Sequence, residues 1–178
     1  MVNLKADFEE LETAKAALLA SVASLDSATL NRKPDAQTWS ILQVIAHLTK
    51  SEAGTLRYIK TKTQDVAALQ KAGPMAWLRV SALVLGIESP FRFKAPASTS
   101  DVPDTADPAE AIAAWDRVRD DWRPFAQNFP ENLEGRLIFR HPFVGLLGPR
   151  QVMVFMRWHL KNHTRQIGRI RRALNAQA

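Results

Sequence analysis

Apolar residues recur along this chain at the three- and four-residue steps of an α-helix, in four separated blocks. Leu4, Phe8, Leu11, Leu18, Val22 and Leu25 fall on one stripe and predict a first helix over about residues 4–28. A turn is expected at 31–37, where Pro34 interrupts the pattern. Thr38 or Ser40 can supply the hydroxyl that caps a second helix, which continues to about residue 60 with Ile41, Ile45, Leu48, Leu56 and Ile59 facing inward. Asp107 as a cap and Pro108 in the first turn open a third helix over 108–128, with Pro124 expected to kink or end it. A last helix is predicted over 149–174.

The intervals between these blocks are less regular. Residues 75–87 are apolar enough for an additional short helix, and the proline-rich run from there to Pro108 reads as loop. So long a connection suggests a segment that lines a mouth, covers a face or meets a partner. The stretch GRLIFRHPFVGLLGP reads as an apolar linker with a short extended piece at RLIF. Four amphipathic helices, two of them joined by long crossovers, imply an all-α fold: a four-helix bundle with modified connections, in which simple up-down order is not dictated. One domain spanning residues 1–178 accounts for a chain of this length.

Composition then narrows the chemistry. With no cysteine, disulfides, thiolate-held iron-sulfur clusters and a cysteine nucleophile are all excluded. The N-terminal segment has no continuous signal-peptide core, and no apolar run reaches the roughly 20 residues of a membrane span, so the expected location is the cytoplasm, with no membrane partner. The formal charge of +6 is unevenly placed: Glu134 is the last acidic residue, and every later charge is a lysine or arginine. Such a cationic tail keeps nucleic acid open as a partner.

The last helix sorts its side chains into two faces. Val152, Met156, His159, His163, Ile170 and Leu174 share a narrow stripe, while Arg157, Lys161, Arg165 and Arg169 lie broadly opposite. Two imidazoles one turn apart on an apolar stripe place four ring nitrogens where water is scarce. Either polar partners in the core satisfy them or a metal ion takes two at once, and imidazole suits zinc, nickel or iron. A third ligand has to come from another element. His47, beside the apolar stripe of the second helix, is the candidate, although an ordinary core or helix-edge histidine would look the same. His141, followed by Pro142 in the linker, could rim a pocket, cap a helix or stay in solvent. Gln166 could hold a water near His163 or complete a polar network, and Glu52 is the nearest acid on the second helix, where a surface role is the alternative.

The segments WSILQVIAHL, residues 39–48, and HLKNHTRQI, residues 159–167, resemble the two marker segments of the DinB/YfiT-like metalloprotein superfamily. In that family a tryptophan-serine start precedes a helix carrying one histidine, and a terminal helix carries a histidine pair followed by a glutamine. The resemblance implies a DinB-like four-helix bundle with His47, His159 and His163 as three metal ligands. HPFVGLLGP is similar to the family's approach to its final helix. Gln43 stands where many relatives carry a glutamate, so assistance from a carboxylate at that position is not expected.

Three imidazoles on a divalent ion leave room for water or a substrate heteroatom. The resemblance implies thiol-dependent transfer or isomerisation in some members and metal-dependent hydrolysis in others. The expected function is therefore a divalent-metal-dependent enzyme acting on a small molecule: a low-molecular-weight-thiol transferase, or else a hydrolase, using zinc or nickel first and iron next. Metal-bound hydroxide, His141 and Glu52 are the candidate general bases, with Gln166 at the cofactor. Two other classes compete: a nucleic-acid-binding protein using Arg157, Lys161, Arg165 and Arg169, against which stands the lack of any recognisable DNA-binding motif, and a non-catalytic metal-stabilised protein. A homodimer could cover apolar surface at 75–85 or at Trp115 and Trp122, with intramolecular core as the alternative for either patch.

Overall fold

Short polar side chains set where the helices begin. In the computed structural model, which describes residues 3–73, 75, 77–79, 81 and 101–176, Asn3 caps α1 (Leu4–Val22), Asp26 caps the short α2 (Ser27–Asn31), Ser40 caps α3 (Ile41–Lys62) and Asp107 caps α4 (Pro108–Gln127). Each side-chain oxygen accepts a backbone N–H that the first helical turn would leave unpaired. At α3 the exchange is reciprocal: Ser40 Oγ accepts from the Gln43 N–H at 3.2 Å, and Gln43 Oε1 accepts from the Ser40 N–H at 3.1 Å. The last helix, α5 (Pro149–Asn175), starts instead at Gly148. A Cβ there would come within 2.7 Å of Gln151 Oε1 and 3.3 Å of the Arg136 carbonyl, so a larger residue would have to displace the Gln151 side chain and ease the backbone apart slightly.

The helices pack in an order that their sequence does not announce. α1 lies against α4 and α5, and α3 also lies against α4 and α5, which makes α1 and α3 diagonal partners. The inward stripes become one hydrophobic cluster: Leu11, Ile41, Val44, Leu48, Ile59, Trp115, Trp122 and Leu147 have no measurable exposure. Each large apolar side chain buried this way contributes about 1.5–3 kcal/mol. Trp115 and Trp122 are thus intramolecular core, which decides between the two readings of that patch against a dimer surface there. Met75, Trp77 and Leu78 are exposed. No helix among the described residues is long and apolar enough to cross a membrane.

Three local expectations change. The first helix, expected to reach residue 28, stops at Val22, because Asp26 accepts the Thr29 N–H at 2.7 Å and starts a separate turn of helix. Pro124 neither ends α4 nor removes its last turn. Near a helix end the missing N–H forfeits one bond, and the following Asn128 N–H still finds the Pro124 carbonyl at 3.0 Å. The linker before α5 is a hairpin: β1 (Phe139–His141) pairs antiparallel with β2 (Gly145–Leu147), with His141 opposite Gly145. Gly145 turns the chain at φ +77°, which a side chain would resist. Most of the helix expected over 75–87, and the loop up to residue 100, lie outside the described residues.

The return strand of chain into α4 is tied across the start of α3. Lys50 Nζ donates to the Asp101 carbonyl at 2.8 Å, Gln43 Nε2 to the Pro103 carbonyl at 3.3 Å, and Asn31 exchanges two 3.0 Å hydrogen bonds with the Ala106 backbone. These bonds keep residues 101–107 on the α2–α3 side.

Candidate metal centre

α3 and α5 pack along their inner faces, and that packing brings His47 from one helix to His159 and His163 from the other. His47 Nε2 lies 3.3 Å from His159 Nε2, and His159 Nε2 lies 3.1 Å from His163 Nε2. His47 and His163 are buried and His159 is half-buried. The remaining pair completes a triangle in which all three ligand atoms fall within 4.8 Å of one another. A tetrahedral ion with Zn–N bonds of about 2.05 Å would separate neighbouring ligand nitrogens by about 3.3 Å. The two short separations match that span, so the three imidazoles are gathered closely enough to hold a divalent ion.

The proton positions agree with this geometry. His163 Nδ1 is 2.7 Å from Gln166 Oε1. With the amide oxygen accepting, the ring carries its proton on Nδ1 and turns the Nε2 lone pair toward the other histidines. Burial, followed by the charge of neighbouring His47, lowers His163 to about 4, against which the Gln166 hydrogen bond works. Burial also holds His159 well below its ordinary 6.5, with His163, His47 and His141 adding smaller contributions of the same sign. Both rings are neutral at pH 7, the state in which imidazole binds metal.

Aromatic rings pack on two of the three histidines. Trp39 packs on His47 with centroids 5.1 Å apart, and Phe155 stacks on His159 at 5.3 Å. The tryptophan-serine start of α3 therefore does two jobs: Ser40 caps the helix, while Trp39 packs against the His47 ring.

A DinB superfamily model matches residues 10–167, nearly the whole helical architecture and all three clustered histidines. The chain belongs to the DinB superfamily. Among solved structures, this DinB-superfamily chain matches YfiT from Bacillus subtilis, with a TM-score of 0.59 and 18% identity over 97% of this chain and 87% of that one. YfiT is described as a probable metal-dependent hydrolase with an unusual four-helix bundle topology; the likeness extends here to the fold. No curated protein sequence matches significantly.

Of the other residues that the DinB-like sequence singled out, Gln166 lies at the cluster, on His163. His141 stands two ring contacts away: its imidazole meets Phe155 at 4.7 Å, and Phe155 in turn meets His159. Glu52 is a correction. Its carboxylate accepts two bonds from Arg119, from Nε at 2.7 Å and from Nη2 at 2.9 Å, and a third from Trp115 Nε1 at 2.9 Å. Committed to α4 in this way, it is not a free base beside the imidazoles. The sequence reading also missed Arg119, which is 1% exposed and reaches Glu12 of α1 as well, at 3.2 Å. A signal was available: Trp115, Arg119, Trp122 and Ala126 follow one inward stripe on α4, as Leu48, Glu52, Leu56 and Ile59 do on α3. Opposite charges at inward positions of two helices invite pairing.

The basic face of α5 is partly used within the chain. Arg157 pairs with Glu10 of α1, and the Lys161 ammonium lies 3.9 Å from the centre of the Trp158 ring.

Proposed function

We propose that this chain is a divalent-metal-dependent enzyme acting on a small molecule, with His47, His159 and His163 as the metal ligands and a nucleophile supplied from outside the chain. The convergence of three Nε2 atoms at 3.1 and 3.3 Å carries this reading. A bound ion would supply Lewis acidity, polarising a substrate oxygen and acidifying a water or thiol. The protein's share is positional. Gln166 keeps the His163 proton on Nδ1, Trp39 fixes the His47 ring, and Phe155 covers one side of His159. With no cysteine in the chain, a sulfur nucleophile has to arrive as a low-molecular-weight thiol, and transfer of that thiol to an electrophile is the reaction we favour. The description of YfiT supports hydrolysis, with water as the nucleophile, as the second reading.

The test is to load the protein in turn with zinc, nickel and iron and supply a panel of electrophiles with and without small thiols. Thiol-dependent consumption of an electrophile, abolished by chelation and by His163→Ala, is the expected result. Consumption that needs metal but no thiol selects hydrolysis. Turnover that survives both chelation and the substitution contradicts a metal-dependent reaction.

A further inference from the structure

The sequence leaves His141 as a candidate base, and its surroundings support a different role. His141 ends β1 and is 7% exposed. Its Nδ1 accepts the backbone N–H of Phe143 at 3.3 Å, across Pro142. An Nδ1 that accepts carries no proton, so the neutral ring carries its proton on Nε2. That Nε2–H has no protein partner among the described residues. Equally, no fully buried side-chain nitrogen or oxygen among them lacks a partner, so Nε2 must open onto accessible space. A ring more than nine-tenths buried, held at one nitrogen by its own hairpin and open at the other, is arranged to donate.

We propose that His141 is a hydrogen-bond donor of the metal site, offering Nε2–H to an acceptor oxygen of the substrate beside the His47–His159–His163 cluster. The ring sequence His141, Phe155, His159 sets the spacing, and the exposed Phe143, 5.8 Å from His141 between ring centroids, puts an apolar surface beside the donor. The class of ligand that fits has an oxygen acceptor close to the ion and a nonpolar body extending toward Phe143. Burial, which lowers His141 to about 4, keeps the ring uncharged at neutral pH and makes it a weak base, in keeping with donation. This role rests on the metal reading above, so its test separates the two.

Zinc content and acetohydroxamate affinity, the latter by calorimetry, are measured for zinc-loaded wild type, His141→Gln and His141→Phe. Hydroxamate serves as a zinc-binding probe with acceptor oxygens. Nitrogen-15 NMR of the imidazoles reads the His141 tautomer in the metal-free protein. Expected are equal zinc in all three proteins, the Nε2–H tautomer, and probe binding weakened about 3- to 10-fold in His141→Phe but largely retained in His141→Gln, which keeps a donor. Equal zinc with unchanged probe affinity in His141→Phe, no probe binding by wild type, or an Nδ1–H tautomer overturns the donor role and leaves the metal site standing. Wild type that binds none of zinc, nickel and iron overturns both.

Discussion

Helix α3 carries two buried polar clusters, around His47 and Glu52, and they are built on opposite terms. Glu52 meets a complementary cation: Arg119 grips both carboxylate oxygens, Trp115 donates to one of them, and the Trp122 indole donates to the Glu52 backbone carbonyl at 3.1 Å. Charges and hydrogen bonds balance within the protein, which is how a buried ion pair becomes tolerable. His47 meets two more bases. Three Nε2 atoms face one another, with His163 already committed to presenting a lone pair. Such a group of ring nitrogens is complementary to a metal cation. Burial and polarity are common to both clusters; one is closed as an ion pair, and the other gathers ring nitrogens in an arrangement that could hold a metal ion.

Removing one half of the ion pair should have the largest effect. Arg119→Met leaves Glu52 buried without its cation and is expected to cost about 3–5 kcal/mol in urea unfolding. The double variant Arg119→Met/Glu52→Gln should recover much of that, and zinc content should not change in folded protein. A loss of zinc with Arg119→Met, in protein that remains folded, would mean that the two clusters are not separable.

Acid should act on the buried histidines. His141 titrates near 4 when folded and near 6.5 when unfolded. Between those values the unfolded chain binds the extra proton, so metal-free stability is expected to be level above pH 7, to fall as pH drops from about 6.5 to 4, and to lose at most about 3 kcal/mol from this group. Urea midpoints across that range should show the decline, and His141→Phe should make it shallower. An unchanged slope in the variant would contradict the assignment.

Gln166→Leu removes the acceptor that fixes the His163 proton. Chelator competition should show zinc affinity reduced about 10- to 100-fold, with the fold intact. Ser40→Ala is expected to have the smallest effect, about 1 kcal/mol of stability from the lost cap, while zinc stays bound. Together these variants rank the two clusters and their supports by what each one does.

Much of this was legible in the chain, for identifiable reasons. Helical periodicity reports burial directly, so the stripes of α1, α3 and α5 and the inward direction of His159 and His163 could be read in advance. Caps are local chemistry, and Ser40 and Asp107 stand where the pattern placed them. Membership of the DinB superfamily was visible in the two histidine segments. The diagonal placement of α1 and α3 was not legible, because amphipathic helices of similar length can be arranged around a bundle in several orders. Three-residue strands are too short to show alternation, so β2 was hidden in the linker. Glu52 and Arg119 were hidden by the habit of reading charge as surface, although their stripes pointed inward.

The central claim is that the histidine cluster is completed by an ion. It is tested most directly by anaerobic purification without a metal-affinity tag, in metal-supplemented medium, followed by elemental analysis of the wild type and the His159→Ala/His163→Ala variant, with circular dichroism of both. Near-stoichiometric divalent metal in the wild type, its loss in the variant and an unchanged helical spectrum are predicted. Wild-type protein as free of metal as the variant would contradict the claim.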